Sequence, residues 1–354
     1  MADPAIQKRI LQAVLSLPPP VLRAASGGRA LYVGGRTLDP RLQFLLHAAR
    51  HYASVEGLPD EQARQTRAQQ LAIVGGCVEP GVRTQEVTID GPRGPIPARI
   101  YRHPDQDPGA ALMVYAYGSE EAEADFETCN ALCSIMARCG RTPVLALTCR
   151  PTAERRFQAC FEDVLAAYRW GRDNAARFGA PAGYAAIGGE SVGGAFAALV
   201  CQELMRAGEP QPSLQLLVYP WVDLSSESRS MSDYAEAGLP AQDAEPFTAD
   251  RFLGPQEDPS DPRISPLKAP DLAGLAAAVV VTAGFDPLVD QGEAYARRLR
   301  DAGVPLVFRC YDHLVHDFAA FTGVVPAADV ACREIAGLVR EGLQGRIPAS
   351  PVTA

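Results

Sequence analysis

The chain has 354 residues, 47% of them hydrophobic and 21% charged, with a formal net charge of −9. That is enough apolar material for a full core in one large unit, and the acidic balance argues against nucleic acid and anionic membranes as main partners. No apolar run approaches the roughly 18–20 residues that a membrane span needs.

The N-terminus reads MADPAIQKRILQAVLSLPPP, with Ile6, Ile10, Leu11, Val14 and Leu15 near helical spacing. Asp3 sits where a signal peptide carries positive charge, so the stretch reads as an amphipathic packing helix and the protein as cytoplasmic. Residues 1–80 look helical and loosely organised, with Leu42, Leu45, Leu46 and the 61–71 stretch on amphipathic faces. Val87 and Ile89 then alternate with polar residues. The turn Gly91-Pro92-Arg93-Gly94 follows, and Ile96, Ala98 and Ile100 alternate again, which predicts a β-hairpin.

From about residue 110 strands and helices alternate. Strands are predicted at Ala111–Tyr117, Val144–Thr148, Ala185–Gly188, Leu214–Tyr219, Ala277–Ala283 and Leu306–Tyr311. Helices are predicted at Phe126–Cys139, Phe157–Phe178, Val192–Met205, Gln291–Ala302 and near 326–343. This rhythm implies a mostly parallel sheet with helices on both faces. It breaks between Asp223 and about Asp261, a stretch rich in Ser, Asp, Glu and Pro that reads as an insertion over the edge of the sheet. The expected division is a helical region over 1–80 and an α/β domain over 81–345, with the insertion at about 223–261. Nine cysteines, at 77, 129, 133, 139, 149, 160, 201, 310 and 332, include no C-x-x-C pair and match no zinc or small-disulfide spacing. We read them as reduced, mostly buried thiols, and expect neither metal nor cofactor.

The strongest chemical signal is Gly189-Glu190-Ser191-Val192-Gly193, followed by Gly194. It follows a short apolar strand and opens an apolar helix, the strand–turn–helix setting of a nucleophile elbow. A serine hydroxyl is a poor nucleophile without a base. Where such an elbow operates the chain order is serine, acid, histidine. Of the histidines at 47, 51, 103, 313 and 316, only His313 and His316 follow Ser191, both in the loop expected after the Leu306–Tyr311 strand. For the acid, Asp286 follows a buried strand and a turn. Asp290, four residues on, is the rival for the acid, although an aspartate at a helix start also serves simply to cap the helix.

These pieces resemble the bacterial hormone-sensitive-lipase-like carboxylesterases, of the α/β-hydrolase fold, over about residues 80–340. Gly189-Glu190-Ser191-Val192-Gly193-Gly194 stands for the family's G-D-S-A-G-G. Asp286-Pro287-Leu288 with Asp290 stands for D-P-L-x-D, and Leu314-Val315-His316 with Phe318 for x-x-H-G-F. Arg150, Glu154, Phe157, Glu162 and Asp163 match a further stretch, Y-R-L-A-P-E followed by F-P-A-A-x-E-D. The resemblance implies a triad of Ser191, Asp286 and His316, with His313 spare. It implies a helical cap from the N-terminal helices and the 223–261 insertion, small or short-acyl ester substrates and an acyl-enzyme. It leaves room for a homodimer.

One piece departs. Where the family has H-G-G-G to supply backbone donors for an oxyanion, this chain reads Tyr117-Gly118-Ser119-Glu120. Gly118, Ser119 and Val192 are then the candidate backbone donors. The change keeps two other readings open: an acyltransferase, amidase or biosynthetic enzyme with an altered oxyanion loop, and a non-catalytic ligand-binding relative.

Overall fold

Runs rich in Val, Leu, Ala and Tyr assemble into one eight-stranded sheet. The computed structural model describes residues 3–50, 60–117, 126–148, 157–226, 228–236, 249, 252–254 and 256–347. Four helices come first, α1 (Pro4–Leu15), α2 (Pro19–Ala25), α3 (Pro40–Ala49) and α4 (Asp60–Val74), with the short strands β1 (Tyr32–Val33) and β2 (Arg36–Thr37) between α2 and α3. There follow β3 (Arg83–Gly91), β4 (Gly94–Arg102), β5 (Leu112–Tyr117), α5 (Phe126–Arg138), β6 (Val144–Thr148), α6 (Phe157–Asn174), β7 (Ala185–Glu190), α7 (Val192–Arg206) and β8 (Gln215–Val218). The chain ends with α8 (Arg229–Glu236), β9 (Ala278–Phe285), α9 (Val289–Asp301), β10 (Leu306–Val315) and α10 (Pro326–Leu343). Among the described residues no helix is long and apolar enough to cross a membrane.

The sheet order is β10-β9-β8-β7-β5-β6-β4-β3. β4 runs antiparallel to both β3 and β6, and all other pairs are parallel. β5, β6, β7 and β9 are buried at every residue, as strands covered on both faces must be. The two faces sort by strand periodicity. Leu112, Val114 and Ala116 join a core with Phe157, Phe161 and Val164 of α6 and Phe196 of α7. Met113, Tyr115 and Tyr117 face Leu132 and Met136 of α5 and Ile335 of α10.

The N-terminal helices are tied down rather than loosely organised. Leu15, Leu22, Leu38 and Leu42 are buried in the second core. Arg36 pairs with Asp312 at 2.9 Å and with Glu293 at 3.1 Å, and the Asp39 N–H donates to the His313 carbonyl at 3.0 Å. The reason is non-local: ion pairs and backbone bonds to the end of β10 hold helices whose own periodicity gives no hint of a docking place.

Two sequence expectations change. β10 runs four residues beyond Tyr311, so His313 lies in the strand and is exposed, and is not in a loop with His316. The register breaks between Tyr311 and Val315. The facing residue is Gly284, where a Cβ would come within 2.5 Å of Asp312 Cα. Only a glycine admits that backbone approach, which lets the strand continue past its irregularity. The 223–261 stretch contains a helix, α8, which the sequence reading lacks. Arg150 and Glu154, like residues 237–248 of the insertion, lie outside the described residues.

Candidate active site

β7 delivers Ser191 to the start of α7. Ser191 has φ 54° and ψ −123°, a positive-φ conformation that costs an L-residue energy and persists only where the surroundings hold it. They do so through backbone bonds at both its N–H and its carbonyl. Ser191 N donates to the Val218 carbonyl at 3.0 Å, and Trp221 N and Gly194 N donate to the Ser191 carbonyl at 3.1 and 3.0 Å. Glycine at 189 and 194 is a matter of space: a Cβ at 194 would sit 2.8 Å from Pro220 Cβ.

His316 directly follows β10. Its Nε2 is 3.1 Å from Ser191 Oγ and its Nδ1 is 2.8 Å from Asp286 Oδ2. Asp286 follows β9 and is fully buried, and its second oxygen accepts the Leu288 N–H at 2.8 Å. A buried carboxylate at Nδ1 favours the tautomer that leaves Nε2 free to accept the serine proton. The Tyr219 ring packs on the imidazole at 4.8 Å between centroids. Three residues far apart in sequence thus form one continuous hydrogen-bonded chain.

The other candidates separate cleanly. The Asp290 carboxylate accepts the Ser230 N–H at 2.9 Å and so anchors α8. His103 accepts the Asp105 N–H at its Nδ1, 3.2 Å away. Val192 is the first residue of α7, where backbone N–H groups have no intrahelical partner and the helix dipole favours negative charge. Gly118 and Ser119 lie outside the described residues. Among the described residues no cluster of His, Cys, Asp and Glu side chains is arranged to hold a metal.

Sequence reasoning missed Glu190. Its carboxyl is buried and accepts a hydrogen bond from the Tyr219 hydroxyl at Oε2, and the buried Tyr115 hydroxyl lies beside it. Burial first, and then the charge of Asp317, push its pKa up from 4.5 to about 8, against the hydrogen bond from Tyr219. The folded protein therefore keeps this proton over a range where the unfolded chain releases it. The associated stability is complete below about pH 4.5 and is lost as pH rises towards 8, a difference of ~5 kcal/mol. Glu190→Gln should therefore flatten the decline in unfolding free energy between pH 5 and 8.5, measured by urea titration. Equal slopes for the two proteins would mean that Glu190 is ionised throughout.

A model of the alpha/beta hydrolase fold family matches residues 113–320, from β5 to just beyond His316. Carboxylic ester hydrolase LipN of Mycobacterium tuberculosis is 38% identical over 311 residues, covering 85% of this chain and 82% of its own. Ethyl acetate hydrolase of Pseudomonas putida is 31% identical over 274 residues, covering 76% of this chain and 86% of its own. The solved structure of an ester hydrolase from the metagenome of Lake Arreo superposes with a TM-score of 0.78 at 33% identity, over 87% of this chain and 99% of that one.

Sheet order, elbow and family match together define an α/β-hydrolase. More narrowly, the chain belongs to the bacterial hormone-sensitive-lipase-like carboxylesterases. It is an enzyme, a carboxylic ester hydrolase, which sets aside the reading as a binding protein without turnover.

Proposed function

We propose that the enzyme hydrolyses small, short-acyl carboxylic esters, with Ser191 as nucleophile, His316 as general base and acid, and Asp286 as the group that orients and charges-balances His316. The observation that carries this is the unbroken chain Ser191 Oγ–His316–Asp286, with separations of 3.1 and 2.8 Å. Ser191 Oγ attacks the ester carbonyl carbon and its proton passes to His316 Nε2. The imidazolium is stabilised by Asp286 and returns the proton to the alcohol oxygen as the C–O bond breaks. Water then attacks the acyl-enzyme, gives a proton to Nε2, and Ser191 leaves with that proton as the acid departs.

Negative charge on the carbonyl oxygen needs backbone donors. The Val192 N–H serves as one, and Gly118 and Ser119 as the others. The helices before residue 80 and the 223–261 insertion form a cap that sets acyl and alcohol preference. The anchoring of α8 to Asp290 supports this, as do the bonds of Ser228 and Ser230 hydroxyls to the Pro287 carbonyl at 3.2 and 2.5 Å. The ethyl acetate named for the Pseudomonas putida relative favours short acyl chains. Free thiols at the eight described cysteines fit a reducing, cytoplasmic setting.

Assays on p-nitrophenyl acetate, butyrate and octanoate test this reading. Acetate and butyrate should be turned over faster than octanoate, and Ser191→Ala should lower kcat by about 10⁴-fold or more. A folded Ser191→Ala enzyme that retains its turnover would remove Ser191 from the mechanism.

A further inference from the structure

His316 lies between two carboxylates, and the mechanism above uses only one. Asp286 holds Nδ1 from the buried side. Asp317 Oδ1 lies 3.6 Å from Nε2, the nitrogen that faces Ser191 Oγ, and its side chain is 33% exposed where that of Asp286 is 0%. The turn at 317 does not itself require a carboxylate. Its φ of 55° and ψ of 25° are left-handed, a conformation that glycine adopts freely and that Asn and Asp tolerate. The x-x-H-G-F pattern has glycine at this position, and this chain has aspartate.

We propose that Asp317 is a specificity-determining residue that favours esters whose alcohol portion carries a positive charge close to the ester oxygen, as in esters of quaternary amino alcohols. The inference rests on the catalytic reading above. To leave, the alcohol oxygen must take a proton from Nε2 across about 2.6–3.2 Å. With Oδ1 3.6 Å from the same nitrogen, that oxygen lies at most about 7 Å from the carboxylate. A cation two carbons further on comes within one screening length of Asp317, about 8 Å at physiological salt, when the alcohol chain lies towards the carboxylate. The charge of Asp317 is also felt by buried Glu190, so the carboxylate acts within the site as well as towards solvent. A carboxylate that did no more than stabilise the imidazolium would act on all esters alike. One on the alcohol side separates them by charge.

The test compares acetylcholine with its uncharged carbon isostere, 3,3-dimethylbutyl acetate, in the wild type, Asp317→Asn and Asp317→Gly. Asparagine keeps the shape and glycine keeps the backbone conformation, and neither keeps the charge. The ratio of kcat/KM for the cationic over the neutral ester should fall about tenfold in both variants. Losses shared by the two esters, from folding or from weaker imidazolium stabilisation, cancel in that ratio. As a readout independent of acetylcholine turnover, choline should inhibit p-nitrophenyl acetate hydrolysis more strongly than 3,3-dimethylbutanol in the wild type, and lose that advantage in both variants. Ser191-dependent hydrolysis of p-nitrophenyl acetate with an unchanged ratio and unchanged inhibitor preference would overturn the role of Asp317 alone. Absence of any Ser191-dependent turnover would overturn the catalytic reading, and this inference with it.

Discussion

Asp286→Asn is expected to lower kcat on p-nitrophenyl acetate by about 10⁴-fold while leaving the fold intact. The size follows from the hydrogen bonds of one buried side chain. Asp286 accepts from His316 Nδ1 at 2.8 Å and from the Leu288 N–H at 2.8 Å, one bond to each oxygen. An asparagine has a single acceptor oxygen. The Leu288 N–H is a fixed backbone donor, so the amide oxygen turns towards it and the amide NH₂ faces Nδ1. Nδ1 must then accept, its proton moves to Nε2, and Nε2 presents a hydrogen to Ser191 Oγ instead of a lone pair. The base is lost through the wrong tautomer and not through misplacement, so KM should change far less than kcat. Asp290→Asn should cost at least a hundredfold less, because that carboxylate serves the Ser230 N–H. A folded Asp286→Asn enzyme within tenfold of wild-type kcat would show that His316 does not depend on Asp286.

Much of this site is legible in the sequence because the elbow is a local object. Glycine, serine and glycine at fixed spacing, between an apolar strand and an apolar helix, specify a turn whose geometry needs little from elsewhere. The alternation of strands and helices yields the parallel sheet for the same reason, as does the β3–β4 hairpin with its Gly91 and Gly94 turn. What separates His316 from His313 is less local. It depends on how far β10 continues, and that depends on Gly284 of the neighbouring strand allowing the backbone of Asp312 to approach. The motif resemblance named His316 and Asp286, and His316 lies between Ser191 Oγ and Asp286 Oδ2, although composition and spacing alone left both pairs open.

Glu190 and Asp317 show where such reading stops. Each is adjacent in sequence to a proposed catalytic residue, yet its character comes from residues far along the chain. Tyr219, just beyond β8, donates to Glu190 and packs on His316, and Tyr115 comes from β5. Nothing in the string Gly-Glu-Ser reveals that the glutamate is enclosed by two tyrosines. Likewise His-Asp-Phe does not reveal that the aspartate turns back towards Nε2. Side-chain environment in a parallel sheet is assembled across strands, and a linear pattern does not carry it.

The second large effect concerns the elbow itself. Gly189→Ala should destabilise the protein by more than ~3 kcal/mol and remove most activity, because overpacking against backbone has no cheap relief. A Cβ at 189 would fall against the Gly193 carbonyl, 2.5 Å from its carbon, and 2.7 Å from the Ala116 oxygen. These are all backbone atoms, so no rotamer change clears the clash. Sideways movement is blocked as well, since Gly189 is paired with Ala116 of β5 on one side and Leu217 of β8 on the other. The remaining relief is to tilt the first turn of α7 away from the sheet. That carries Gly193 outward and disturbs the backbone bonds that hold Ser191 at positive φ. Activity should therefore fall even in whatever fraction remains folded. Gly337→Ala provides a contrast of opposite sign. It lies within α10 with nothing within 4 Å of its would-be Cβ, so alanine there should stabilise by about 0.5–1 kcal/mol through helix propensity and reduced unfolded-state entropy. Urea unfolding of both variants, with kcat measured alongside, checks the pair. A Gly189→Ala protein with wild-type stability and turnover would mean that β7 and α7 do not meet as closely as the elbow requires.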